Sequence, residues 1–368
     1  MNIKRTLFLI LIGFTVFFFT IIISYKTLIF TVINDRYSGL IHFKIARDIK
    51  EQNTDLISGL NNWMADNYIT KGLNENFLPV LDKNSYYRLI NGYSVCDGSA
   101  DTYIRIAKFL NIRGYVIPLY SKDLKTSVHS ITLLTPSKKN ISDINFLREK
   151  ALVIDPVYNI SFKKNKKYVN ISDICLGNYN NYQKQYLENQ NYKLEEFYCY
   201  TKNVWITNDI LEDSFFIKKI YYFFLNYVPN SLLLKIHEIF IEEKLVEYEF
   251  FQKARHYHLF GNYKLAKKYY NLSIINDSIK DFDIFEGAHR DDNYKIRKKT
   301  VMPINLQNYS LFFLTLLENN QTGKLNKNPF QKKFGDRINP FYELYEHYLL
   351  QKLSKKKISW NRRDVRVV

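Results

Sequence analysis

Between Asn91 and Leu110 the chain reads NGYSVCDGSADTYIRIAKFL: a glycine-bearing turn, a cysteine, then an amphipathic helix. A cysteine at a helix start faces unpaired backbone N–H groups and the positive end of the helix dipole, which favour a thiolate. Gly98–Leu110 is the expected helix, with Ile104, Ala107, Lys108 and Leu110 on its inner side and Gly114 at its exit. Three stretches of strand character follow. Tyr115–Tyr120 (YVIPLY) is apolar, Val128–Leu134 (VHSITLL) alternates and carries His129, and Ala151–Pro156 (ALVIDP) stops at Asp155-Pro156.

This order sets out the parts of a thiol-based acyl transfer. That chemistry needs a thiolate, a base that takes and returns a proton, a group that fixes the imidazole, and donors for the oxyanion. Cys96 can be the nucleophile, His129 the base and Asp155 the orienting group. The amide of Cys96 can supply one oxyanion donor. Taken singly, each residue has a plainer reading. His129 would be a hydrogen-bonded core histidine and Asp155 a turn former before proline. The ordered set is what points to chemistry.

The set resembles the transglutaminase-like superfamily of papain-fold enzymes over roughly residues 91–159. Gly92 to Ala100 resembles the family's glycine-x-cysteine-helix segment, and Phe109 to Ile117 its helix exit into the first strand. Val128-His129-Ser130-Ile131 resembles its histidine strand, and Val153-Ile154-Asp155-Pro156 its aspartate strand. The resemblance implies an α+β fold in which a cysteine-bearing helix precedes an antiparallel sheet. It also implies Cys96 as nucleophile, His129 as general base and acid, and Asp155 as orienter. Two features depart from the pattern. Ser130-Ile131 stands where the family often has Ala-Trp, and Thr135–Lys150 lengthens the gap between His129 and Asp155. Trp63 and Tyr93 are candidates for the oxyanion hole. The implied function is a cysteine acyl-transferase or peptidase acting on a peptide or protein substrate, with water or an amine as acceptor. The alternative is a catalytically silent papain-fold scaffold that binds protein through its helical part.

Leu7–Tyr25 carries no charge and follows Lys4 and Arg5. At about 1.5 Å per residue it matches the roughly 30 Å hydrocarbon core of a bilayer. It is too long for a cleavable signal and lacks a small-residue exit. The expectation is one uncleaved anchor in the plasma (inner) membrane, with the short basic tail inside and the bulk of the chain outside the cytoplasm.

The remaining length, out of 368 residues, is expected to divide into a transglutaminase-like domain at 34–207 and an α-helical domain at 208–368, after an anchor at 1–33. Residues 34–90 show helical spacing, with Trp63 read as core. Asn159–Gln190 is Lys-, Asn- and Tyr-rich and is expected to be a surface excursion, and Glu195–Ile206 an extended return. Phe215–Leu225 is apolar but interrupted by Lys218 and Lys219, so it is read as a buried or membrane-surface helix. ARHYHLFGNYKLAKKYY (254–270) has the small residues and turn of one tetratricopeptide-like helical hairpin, a docking surface for a protein partner.

The net charge of +17 invites a nucleic-acid reading. No compact basic motif of such a module appears, and lysine is spread along the chain, so no nucleic-acid partner is expected. Attraction to an anionic membrane or surface polymer fits the charge as well, the basic tail at Lys355-Lys-Lys and Arg362-Arg363 included. The cysteines are Cys96, Cys175 and Cys199, without a CxxC pair, and His256 and His258 fall on different helix faces. Neither a metal nor a cofactor is therefore expected. Outside the cytoplasm Cys175 and Cys199 can pair and leave Cys96 free. Three reduced thiols is the other reading.

Overall fold

The computed structural model describes residues 11–18, 20, 35–53, 55–69, 85–92, 94, 96–120, 127–135, 143–157, 159–179, 249–276, 279–285, 299–334 and 337–354. The helices and strands before the sheet are α1 (Asp35–Gln52), α2 (Leu56–Asn67), α3 (Ser85–Asn91) and α4 (Cys96–Phe109). Then come β1 (Arg113–Tyr120), β2 (Ser127–Thr135), α5 (Ile144–Lys150), β3 (Leu152–Asp155) and β4 (Ile160–Ser161). The four strands form one antiparallel sheet in the order β1-β2-β3-β4. The protein is thus a mixture of helix and antiparallel sheet.

The alternation of each strand gives the sheet two apolar faces. Register pairs Leu119 with His129, Ile117 with Ile131, and Tyr115 with Leu133, and Leu133 in turn with Val153. These residues share one face, where Leu147 of α5 and Phe162, Ile171 and Ile174 complete a buried cluster. On the other face Val116 packs on Ala100 and Ile104 of α4, while Leu134 and Ile154 join Tyr103, Ile106 and Ala107. Each fully buried Leu or Ile of this kind stabilises the fold by about 1.5–3 kcal/mol. Helix α4 is therefore held against the sheet along most of its length, which fixes where its first residue, Cys96, can be.

Two details at the far end of α4 secure that placement. Asn111 takes the left-handed conformation (φ 61°). Ile112 N–H then donates to Ala107 O at 3.0 Å and Asn111 N–H to Lys108 O at 2.9 Å, a Schellman-type stop. Gly114, expected at the helix exit, instead lies in β1. A Cβ there would stand 2.4 Å from Ile104 Cγ2 and 3.3 Å from Leu134 Cδ2. The glycine is required by the close approach of helix to strand, and Asn111 does the terminating.

Asn159–Gln190 also differs from expectation as far as residue 179. It forms β4, a hairpin of β5 (Lys163–Lys164) and β6 (Lys167–Tyr168), and α6 (Ile171–Cys175). Asn165 and Lys166 both have positive φ, the geometry of a tight two-residue turn. Phe162, Val169, Ile171 and Ile174 are spaced too irregularly to announce a single period, yet all are buried. Asn170 caps α6 through a reciprocal box with Asp173.

The later part contains α7 (Glu249–Leu259), α8 (Tyr263–Asn276), β7 (Ile279–Phe285), β8 (Lys299–Asn305), α9 (Leu306–Thr322), β9 (Lys333–Phe334), β10 (Arg337–Ile338) and α10 (Pro340–Ser354). Helices α7 and α8 form the expected hairpin around Gly261. Ser310 Oγ of α9 and Ser273 Oγ of α8 bond at 2.6 Å, and aromatic residues of α9 and α10 fill the core beside them. The expectation of helix alone here is corrected by the antiparallel β7–β8 hairpin, in register from Ile279↔Asn305 to Phe285↔Lys299. Pro303 reads as a strand breaker in sequence, which hides β8.

Of the expected anchor Leu7–Tyr25, residues 11–18 and 20 are described and helical, and the rest lies outside the described residues. No described helix is long and apolar enough to cross a membrane. Tyr93, Glu195–Ile206, Cys199, Phe215–Leu225 and the basic tail also lie outside the described residues.

Candidate active site

Strands β2 and β3 bring His129 and Asp155 to the same face of the sheet, and α4 brings Cys96 to the same edge. His129 Nε2 is 2.9 Å from Asp155 Oδ2. Asp155 is wholly buried and His129 is 7% exposed, whereas Cys96 is half-buried and free. The other carboxylate oxygen, Oδ1, accepts from the Val157 amide at 3.1 Å. The turn at Asp155-Pro156 thus aims the carboxylate rather than merely ending the strand. Both oxygens are engaged, so the buried charge is satisfied.

Cys96 packs against the buried cluster on this face of the sheet. Burial works against a charged ring at His129. The Asp155 carboxylate outweighs it, and the neighbouring Cys96 side chain adds to the effect, so His129 is pushed up to about 10. A protonated imidazole donates from its ring nitrogens, which suits the Asp155 carboxylate on Nε2. The register between β1 and β2 shifts at Leu119/Tyr120, directly opposite His129. Such an irregularity re-aims side chains at a strand end.

All three residues predicted from sequence therefore converge. Trp63 does not join them: it packs on the cluster between α1, α2 and α4, whereas Cys96 packs on the His129 face. Asp97 accepts the Gly98 amide at 2.7 Å in the first turn of α4. Cys175 is disulfide-bonded. His258 Nδ1 is 2.9 Å from the Tyr270 hydroxyl, and burial pushes His256 down to about 3. Both stay neutral in the core of α7 and α8. Among the described residues no group of three His, Cys, Asp or Glu could hold a metal ion.

Sequence reasoning missed the supports behind the site. Arg88 of α3 and Arg105 of α4 both donate to Asp101 Oδ2, each at 2.7 Å, and tie α3 to the cysteine helix. The i, i+4 spacing of Asp101 and Arg105 was visible. Arg88 had no signal, since its partner lies on another helix. Arg255 is fully buried and meets α3 from α7. In sequence it is one more basic residue in a basic helix.

No protein-family model, no curated protein and no solved structure matches the chain.

Proposed function

We propose that this protein is a membrane-anchored, transglutaminase-like cysteine acyl-transferase or peptidase with a papain-like core. The observation that carries the reading is the buried His129–Asp155 pair at 2.9 Å, with the free Cys96 at the start of α4 packed on the same face of the sheet. In the first step the Cys96 thiolate attacks the carbonyl carbon of a peptide or amide group. The oxyanion forms at the helix start, where backbone N–H groups favour negative charge. His129 gives its Nδ1 proton to the leaving amine as the C–N bond breaks, leaving a thioester on Cys96. Water or an amine then loses a proton to Nδ1 and attacks the thioester. The thiolate leaves, and hydrolysis or cross-linking is complete. Asp155 stays ionised throughout and holds the ring.

Two further observations support an anchored domain on the outer side of the membrane. Leu11, Phe14 and Phe18 are exposed on a helical segment, at 67%, 70% and 60%. Apolar side chains in such a row need a cover, and lipid supplies one. The Cys175 disulfide fits an oxidising compartment. The helices around α7 and α8 are the docking surface for a protein substrate or partner.

A thiol-reactive probe tests the reading on the intact chain. Cys96 should alkylate faster than a free thiol at neutral pH, and His129→Ala should abolish the difference. Equal rates in the two proteins would leave a silent scaffold as the function.

A further inference from the structure

We infer that Arg255 is a positioning residue for Cys96, through which the α7–α8 hairpin holds the nucleophile's turn in place. The inference rests on Cys96 being the nucleophile. Arg255 is fully buried in the middle of α7. Its Nε donates to Ile90 O at 2.9 Å, and its Nη2 donates to Leu89 O at 3.0 Å and to Asn67 O at 2.9 Å. Those carbonyls lie at the C-terminal ends of α3 and α2, where carbonyls have no intrahelical partner and a cation is favoured. One guanidinium thus closes two helix ends.

The same group abuts the turn that leads to Cys96. Gly92 follows α3 with φ +63°, and a Cβ on it would lie 2.9 Å from Arg255 Nη2 and 2.4 Å from Phe313 Cζ. The guanidinium carbon in turn lies 3.9 Å from the centroid of the Phe313 ring. Gly92 O accepts from the Ile69 amide at 2.7 Å, and Ser94 O from the Ser99 hydroxyl at 3.3 Å. Arg255 on Ile90, Ile69 on Gly92 and Ser99 on Ser94 thus hold separate points of the segment between α3 and the first turn of α4. The α3–α4 link at Arg88–Asp101 holds the same segment from the other side. A lysine at 255 keeps the charge but cannot serve these carbonyls and stack as a plane.

The experiment compares alkylation of Cys96 by iodoacetamide in the full chain, wild type, Arg255→Lys and Phe313→Leu, under conditions where each is folded. Phe341→Leu, a buried residue of α10 that packs on Phe312 and Phe330 in the same aromatic core, controls for lost stability. Arg255→Lys should slow labelling at least about tenfold, since small misplacements of a reacting group have effects of that order. Phe313→Leu should slow it less, and Phe341→Leu should leave the rate unchanged despite a lower Tm. Should Arg255→Lys not fold, the Phe313→Leu and Phe341→Leu pair decides. A wild-type rate in folded Arg255→Lys, or in Phe313→Leu where Arg255→Lys does not fold, overturns the inference, as does equal slowing in Phe341→Leu. A wild-type Cys96 that labels no faster than a free thiol, or ignores His129→Ala, overturns the nucleophile reading itself. Fast wild-type labelling with fast Arg255→Lys labelling overturns the positioning role alone.

Discussion

Asp155 Oδ2 accepts from His129 Nε2 at 2.9 Å across neighbouring antiparallel strands, in a place where the carboxylate has no solvent exposure. A buried carboxylate must be satisfied or it neutralises. Here His129 and the Val157 amide satisfy it, and its charge in turn keeps the imidazole protonated.

Removing the charge at 155 should lower the pH at which His129 titrates. In Asp155→Asn the ring loses the main group holding it up, while burial still pushes it down. A proton-detected NMR titration of His129 should place the wild-type transition near 10 and the variant's well below it. An unmoved transition would refute the pairing.

Stability should carry the same signature in pH. The folded-state value of His129 is raised from 6.5 to about 10. A raised value means that the folded state holds its proton more tightly. The contribution is full below about pH 6.5 and is lost as pH rises through about 10. Urea unfolding of wild type and His129→Gln should therefore differ most on the acid side of this window, with the gap closing toward pH 10. A gap that widens with pH would contradict it.

Gly114→Ala should destabilise the chain by about 1–3 kcal/mol, the usual effect of forcing an extra methyl into a packed site. Its Cβ would press on Ile104 of α4 at 2.4 Å. The shift should be transmitted along α4 to Cys96, so its alkylation should slow as well. Denaturant midpoints and labelling rates check both halves.

Asn111→Gly should be neutral or mildly stabilising, and Asn111→Val should cost about 1–2 kcal/mol, because a β-branched residue resists the left-handed conformation. The measured quantity is the shift in urea midpoint at constant slope. Equal effects would mean that φ 61° at Asn111 does not end the helix.

Cys175 should resist alkylation until a reductant is added, while Cys96 reacts without one. Peptide mapping after labelling with and without reductant distinguishes them. Labelling of Cys175 in the unreduced protein would remove the support for an oxidising compartment.

Much of the candidate site was legible from sequence because it is local. The helix start at Cys96, the alternating strand at His129 and the Asp155-Pro156 stop each announce themselves within a few residues, through dipole, period and turn chemistry. The misreadings share one cause. Gly114 looks like a helix exit until Ile104 is seen against it, and 159–179 looks like a loop until Phe162 and Ile171 are found in the core.

Sequence by itself determined the order of cysteine helix and strands, the apolar stretch before them and the hairpin at Gly261. Tertiary structure decided that Asp155 meets the imidazole on Nε2, that Asn111 rather than Gly114 stops α4, and that Arg255 closes the ends of α2 and α3. The physical reason is range. Periodicity and capping act within a turn or two of the chain, whereas the contact of Arg255 with Ile90 spans 165 residues and exists only once the core has closed around it.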